Sequence, residues 1–535
     1  MDRREVIKGL AMLPIGGSFL SMAEAGQQRE KGPLALDEDI YGSIGVDTII
    51  NCRGTFTIIG GSRERPEVLE AMKAAAGNFI QYDELAAGIG QRLADITKAE
   101  WGIITAGCAA AMKHATVACV TGGNPEILMR VPFLDDVPKN EVIIPRHSRN
   151  VYDASIRNVG VKIIEVNTPE ELEEAINPRT AMIYLVTNNA SDTGKPLSLE
   201  NIARIAKPKN IPVLVDAAAE DLTIPVVHFE RGATMVAYSG GKAICGPQCA
   251  GLLLGQKDIL LSAWQASSPH HGPGRDNKVG KEEMMGMLAA VEAWTTRNHP
   301  QEWDNWMKWL GQISDAVTKV KGVTTQIQEP TGLNNRAPTL HILWDPAVLH
   351  ITGPEMAEFL GRNQPRIAVG GRDNGTDSTS LTVTPSQMIA SEVPIVANRI
   401  QEVLKMKRQP KKAMAAPVGS MAGRWTVVVQ YSSSQTTHQW FLEQDENWLA
   451  GRHESDFATQ DIIGTMEGKT VKLHSTFREP GKSVPFMFSG TLEGNTLTGN
   501  IHLGEYQNAK FTATKQDYQA PRRTILIPDG PPLAT

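Results

Sequence analysis

Pro212-Val213-Leu214-Val215-Asp216-Ala217, and after it Met235-Val236-Ala237-Tyr238-Ser239-Gly240-Gly241-Lys242-Ala243, is the stretch on which the fold turns. Both segments open with a short aliphatic run that has no polar alternation, the pattern of a strand buried on both faces of a parallel sheet. Both then reach a charged residue that is costly to bury alone, a carboxylate at Asp216 and an amine at Lys242. Open α/β sheets bind ligands beyond the carboxyl ends of their strands, so the two groups are expected at one crevice. A lysine that can form a Schiff base and an aspartate that can pair a protonated pyridine nitrogen are what pyridoxal 5'-phosphate most needs from a protein.

Outward from this centre, Val142-Ile144, Val161-Val166, Ala181-Val186 and Ala250-Leu254 repeat the buried-strand pattern, with a helical pattern at Leu199-Ala206 between two of them. This alternation predicts a layered α/β domain over residues 40–300, with a mostly parallel sheet. A long helix is expected from Lys281 to Arg297, with Met284, Leu288, Val291 and Trp294 on one side. A smaller α+β unit over 301–407 follows, with strands at Leu340-Trp344, Ile367-Val369 and Leu381-Val383 and helices at Glu355-Arg362 and Pro394-Met406. It closes one side of a cleft, where ligand sites commonly lie. The Lys/Pro/Ala-rich segment 408–420 reads as a solvated linker. Residues 421–518 show period-two alternation broken by Gln444-Asn447, Glu467-Lys469 and Glu493-Asn495, which predicts an antiparallel β-barrel or sandwich of about eight strands. In it Trp425, Trp440 and Trp448 are expected in the core, and 519–535 forms a tail.

The chain has 535 residues, 41% of them hydrophobic, and a net charge of −6. That balance offers no broad cationic field, so no nucleic-acid partner is expected. Residues 1–25 combine Arg3-Arg4, Lys8, an apolar stretch from Gly9 to Met22 and Ala23-Glu24-Ala25. They read as a twin-arginine-like signal peptide, which predicts an exported, periplasmic protein with no stable membrane span after processing. The five cysteines imply no disulfide framework, and Cys245 and Cys249 lack a second Cys/His pair at zinc spacing, so no metal site is assigned. No G-x-G-x-x-G opens a first βα unit, which disfavours a nicotinamide oxidoreductase.

A phosphate needs a cradle. Ile103-Ile104-Thr105-Ala106-Gly107-Cys108-Ala109 passes from an apolar run through a small-residue turn into an alanine-rich helix, whose first N–H groups are free to bind an anion. Thr105, Gly107, Cys108 and Ala109 are the candidate phosphate contacts, with the hydroxyl of Ser239. His147 follows a strand directly and is a candidate for stacking on the ring or moving a proton. Thr187, Asn188 and Asn189 are placed near the cofactor's phenolic oxygen. Arg366 and Arg372 are candidates for a substrate-carboxylate clamp. Glu220 and Asp221 read as a helix-start charge pair.

These residues in this order resemble a known family. Arg53-Gly54, Asp83-Glu84-Leu85, Gly90 to Ile96, Thr105 to Met112, Pro145-Arg146-His147, Val215-Asp216, Ser239 to Gln248 and Val279 to Glu283 are similar to the fold-type-I pyridoxal-phosphate family of bacterial selenocysteine synthase (L-seryl-tRNA selenium transferase). They are more similar still to its tRNA-independent relatives, typified by D-glucosaminate-6-phosphate ammonia-lyase. The resemblance spans about residues 40–405, with Ser239 through Gly251 its most specific block. It implies an internal aldimine on Lys242, a pyridinium contact at Asp216, ring stacking by His147 and phosphate binding by Ser239 and the Gly107 turn. It also implies a homo-oligomer, a dimer or larger ring, with sites at subunit interfaces where Tyr82 or Arg53 would serve a neighbour. Two departures stand out: no tRNA-recognising domain precedes the catalytic region, and the β domain after residue 420 lies outside the resemblance. The expected activity is therefore a pyridoxal-phosphate lyase of the α,β-elimination type, acting on an amino acid or amino-sugar acid. A selenium transferase is the alternative, and a non-catalytic binding protein on the same scaffold is a second.

Overall fold

In the computed structural model, which describes residues 34, 36, 40–375, 378–410 and 412–517, the continuous apolar runs form a seven-stranded sheet. Its strands are β1 (Trp101–Thr105), β2 (Glu141–Pro145), β3 (Lys162–Val166), β4 (Thr180–Val186), β5 (Val213–Asp216), β6 (Met235–Ser239) and β7 (Gly251–Gly255). The spatial order is β1-β7-β6-β5-β4-β2-β3. β3, β2, β4, β5 and β6 pair in parallel, whereas β7 runs antiparallel to both β6 and β1. The reversal of β7 leaves β1 pointing the same way as β6, so Thr105 and Ser239 end at one edge, both facing Gly251 across the ladders.

Helix α1 (Gly107–Thr121) is buried along nearly its whole length. An apolar helix without a polar face is a core helix, which is why its sequence shows no clear stripe. Helix α2 (Lys281–Thr296) buries Met284, Val291 and Trp294 into the same core, as its spacing implies, while Met287 is buried there and Leu288 packs against it only partly buried.

A second core lies within the same compact unit, which runs through Gln409. It is built from helix α3 (His299–Val317), helices Gly353–Arg362 and Val393–Lys405, and a four-stranded antiparallel sheet of Thr324–Gln328, Thr339–Trp344, Gly370–Asp373 and Thr379–Val383. The Ile367–Ala368 strand does not join that sheet; it pairs in parallel with Ile50–Asn51. This brings Cys52, from the N-terminal part of the α/β stretch, into the second core. A two-residue pairing carries no periodicity in sequence, and only the fold reveals it. Arg408 in the basic stretch donates to the carbonyls of Val403 (2.8 Å) and Met406 (3.1 Å), closing the end of helix Val393–Lys405.

From Pro410 a separate unit begins, an eight-stranded closed antiparallel barrel from Gly423 to Lys515. Inward residues alternate as the pattern requires: Trp425, Val427 and Val429 are fully buried, as is Trp440, while Trp448 is only partly so. The preceding segment is bound rather than free. The Ala415 carbonyl accepts from Asn447 Nδ2 at 2.8 Å, and the Val418 N–H donates to Gly468 O at 3.1 Å. Side chain and backbone partners at the barrel turns thus replace the solvation expected of a tether. The signal-like residues 1–25 and the tail 519–535 lie outside the described residues. Among the described residues no helix is long and apolar enough to cross a membrane.

Candidate active site

The parallel strands deliver their chemistry at one edge. Asp216 closes β5, Ser239 closes β6, and Lys242 stands three positions further on, while His147 follows β2 and Thr105 ends β1. Asp216 is buried, and its three contacts are neutral donors. The Tyr184 hydroxyl donates to Oδ2 at 2.9 Å, the Ala218 N–H to Oδ1 at 3.1 Å, and the Cys108 thiol to Oδ1 at 3.7 Å. Burial pushes the Asp216 carboxyl above its ordinary range, and these donors together with the positive charge of Lys242 oppose the rise. Burial also drives the Tyr184 and Cys108 protons up, and the neighbouring carboxylate adds to the effect, so both stay donors.

The turn before α1 is shaped by two glycines. Gly107 takes φ +83°, and the Thr105 hydroxyl donates to its carbonyl at 2.8 Å. A Cβ on Gly251 would stand 2.3 Å from the Gly107 carbonyl carbon and 2.6 Å from the Cys108 nitrogen, so only glycine lets the turn settle between Thr105 and Ser239. The first N–H groups of α1, at Gly107, Cys108 and Ala109, have no acceptor within the helix. Ser239 is half-buried beside them. The side chains of Thr105 and Cys108 are committed elsewhere, so their part in an anion site is played by the backbone they shape.

His147 Nδ1 lies 3.2 Å from Ser148 Oγ, while Nε2 is buried without a partner among the described residues. Burial lowers its pKa, which disfavours the imidazolium form. Asn188, expected near the cofactor's oxygen, instead holds this loop. Its Nδ2 donates to the His147 carbonyl at 3.1 Å, and its Oδ1 accepts from the N–H groups of Ala190 and Ser191.

Lys242 opens onto a cleft of ≈ 1480 Å³ between the two cores of this unit. Its Nζ lies 6.0 Å from the Tyr152 ring centroid and makes no hydrogen bond or ion pair among the described residues. The cleft is lined by Lys242 together with Thr339, His341 and Thr382 of the small sheet, and Asp216, His147 and Gly107 are not among its lining residues.

Four expected substrate contacts separate here. Arg53 lines the cleft, its guanidinium 4.4 Å over the Phe56 ring. The other cleft arginines are engaged: Arg63 with Glu392, Arg65 with Glu302, Arg336 with Asp221, and Arg297 with backbone carbonyls. Arg366 is not in the cleft, and donates to the carbonyls of Gly361 and Asp47. Arg372 lines a smaller hollow on the four-stranded sheet, with Gln326 and Asn374. The Tyr82 oxygen accepts from the Lys281 N–H at 3.1 Å, closing the start of α2. Nor do Glu220 and Asp221 start a helix. Glu220 is buried against His228 Nε2 at 2.6 Å, while Asp221 faces the cleft, its carboxyl pushed up to about 6 by burial.

Three residues escaped the sequence reading. Tyr184 carried one faint signal, a hydroxyl in an otherwise apolar strand run; Tyr152 and Arg297 carried none.

These groups fit pyridoxal phosphate. Among the described residues the buried Asp216 carboxylate meets only neutral donors, the half-buried His147 offers a ring face, and the turn opens α1 with N–H groups that have no acceptor within the helix.

An α/β sheet with this strand order, a lysine past one strand end and an aspartate closing the next define a fold-type-I scaffold for that cofactor. The chain belongs to the fold-type-I, aminotransferase class-V family of pyridoxal-phosphate enzymes, whose model matches residues 146–277. It is 32% identical over 305 residues to D-glucosaminate-6-phosphate ammonia lyase of Salmonella typhimurium, covering 55% of this chain and 79% of that one. It is 27% identical to 5'-C-glycyluridine monooxygenase-decarboxylase of a Streptomyces species, over 68% of this chain and 92% of that one. A shorter match, 26% identical, joins 33% of this chain to 41% of an L-seryl-tRNA(Sec) selenium transferase from Proteus mirabilis. The solved structure of a D-glucosaminate-6-phosphate ammonia-lyase superposes on 68% of this chain and 98% of its own, with TM-score 0.60 and 27% identity.

Proposed function

We propose that this protein is a pyridoxal-phosphate lyase that eliminates a β-substituent and releases ammonia from an amino acid or amino-sugar acid. One observation carries the reading: a lysine amine with no hydrogen-bond or ion-pair partner among the described residues lines a large cleft, beside a strand that ends in a buried carboxylate. The match to an ammonia lyase over most of that relative's length supports the reaction type.

Lys242 would hold the cofactor covalently through Nζ, Asp216 would face its ring nitrogen, and His147 would cover one ring face. The N–H groups of Gly107, Cys108 and Ala109, with the Ser239 hydroxyl, would take the phosphate. Pyridoxal phosphate so held supplies an electron sink for negative charge developing at a substrate α-carbon. Once the substrate amine has taken its place on the cofactor, the released Lys242 Nζ would be the base that takes the α-proton, since the side chain lines the cleft. Arg53, which has no acidic partner among the described residues, binds the substrate carboxylate and fixes which bond faces Lys242. Asp221 would hold or give a proton at the leaving group, its carboxyl pushed up to about 6 by burial.

Purified protein should show a visible band with the cofactor, and borohydride reduction should fix the cofactor's mass on the peptide that contains Lys242. Incubation with D-glucosaminate 6-phosphate or with serine should release ammonia and an oxo acid. Attachment of the mass to another lysine would end the assignment. Oxygen uptake with release of carbon dioxide and no ammonia would move the reading toward the chemistry named by the Streptomyces relative. We further read the protein as an exported homo-oligomer. Replacing Arg3 and Arg4 by lysine should then retain it in the cytoplasm, and light scattering should give a mass at least twice that of the chain.

A further inference from the structure

The turn that carries Lys242 has five successive carbonyls, and each has a donor. The Gly240 carbonyl accepts from the Gly246 N–H at 2.8 Å, Gly241 from Ser62 at 2.9 Å, and Lys242 from Cys245 at 3.0 Å. The Ala243 and Ile244 carbonyls receive no backbone N–H; Arg297 supplies both, with Nη1 3.0 Å from Ala243 O and Nη2 on Ile244 O. Cys245 Sγ adds a weaker contact to Ala243 O, 3.4 Å away. Arg297 ends α2, stacks 4.8 Å over Trp294 and is itself part of the cleft wall. Trp294 is fixed in turn, its indole N–H donating to Leu222 O at 2.7 Å. Backbone hydrogen bonds hold the two ends of the turn, whereas at its Ala243-Ile244 tip the chain passes on to Cys245 in the left-handed φ of +58°.

We infer that Arg297 is a positioning residue: its guanidinium forks across the two carbonyls after Lys242 and aims the lysine amine into the cleft. This rests on the assignment of Lys242 as the residue that holds the cofactor. A planar, always-charged fork can serve two adjacent carbonyls at once; a lysine in its place can reach only one.

The test compares Arg297→Ala and Arg297→Lys with the unaltered protein. In the cofactor-free protein, amide hydrogen exchange across residues 240–246 should quicken by about tenfold or more in Arg297→Ala, the scale of losing a charge-assisted hydrogen bond. With pyridoxal 5'-phosphate added, borohydride should trap less cofactor on the Lys242 peptide at equal total binding, and the pH midpoint of the visible band should move. Arg297→Lys should recover part of each change. Exchange, trapping and pH midpoint all unchanged in Arg297→Ala would overturn the inference. Should that variant fail to fold, Arg297→Lys decides alone: a wild-type exchange rate and pH midpoint overturn the inference, and shifts in both uphold it. Failure of the underlying assignment is separate and visible in the unaltered protein, as trapping on a lysine other than Lys242.

Discussion

Replacing Tyr184 by phenylalanine isolates the one hydroxyl that bears on Asp216. The ring stays, so the fully buried site is neither emptied nor crowded, and only the 2.9 Å bond to Oδ2 and a long 3.4 Å contact from Asn150 Nδ2 disappear. A hydrogen bond to a charged acceptor contributes about 1.5–3 kcal/mol. Losing that donor removes one of the contacts that oppose burial, so the Asp216 carboxyl should move further above its ordinary range. The Asp216 carboxylate then faces a ring nitrogen less often as an anion, and the dissociation constant for pyridoxal 5'-phosphate should rise by about tenfold to a hundredfold. Titration of the cofactor-free protein, followed by the visible band, measures this, with thermal unfolding as the check on fold. The change must also vanish when Asp216→Asn is already present, since the two residues act through one contact. An affinity within about twofold of wild type in a folded variant, or an equal loss in the Asp216→Asn background, would refute the reasoning.

Other outcomes follow from the same geometry. Gly251→Ala forces the Gly107 turn aside, so affinity for pyridoxal 5'-phosphate should fall by about tenfold or more while that for pyridoxal, which lacks the phosphate, stays within about twofold; equal loss for both compounds would count against the phosphate assignment. Asp221 holds its proton up to about pH 6. The rate profile should therefore show a step near that pH that Asp221→Asn removes, and because the folded pKa is raised, the group's stabilising contribution is complete below its ordinary value and lost as pH rises through about 6. In the barrel, His453 Nε2 lies 2.8 Å from His438 Nδ1, and its Nδ1 lies 2.7 Å from Ser475 Oγ, with its pKa lowered to about 3 by burial and by His438. Here the unfolded chain binds the proton first, so the barrel's unfolding temperature should drop as pH falls from about 6.5 toward 3; His453→Gln should flatten that dependence, measured by calorimetry.

Local pattern was enough to read the strands, the residues at their ends and the barrel. Strands buried on both faces read as unbroken aliphatic runs, so the ends of Val213–Asp216 and Met235–Ser239 were legible as the place where Asp216 and Lys242 emerge. The barrel was legible because one face of each strand is wet, which writes a period of two into the chain. Gly251 was part of the recognisable block, although its reason, the approach of the Gly107 turn, is a distance between segments far apart in the chain. Tertiary structure alone decided where side chains spend their hydrogen bonds. Arg366, Arg53 and Arg297 are chemically identical in sequence, yet one binds backbone carbonyls away from the cleft, one lies over Phe56 in it, and one supports the Lys242 turn. Tyr82 and Asn188 likewise close backbone donors and acceptors that only the folded neighbours create. Residue type and local period set what a segment can become. Which partner a polar group finds depends on contacts hundreds of residues apart, and no local pattern records them.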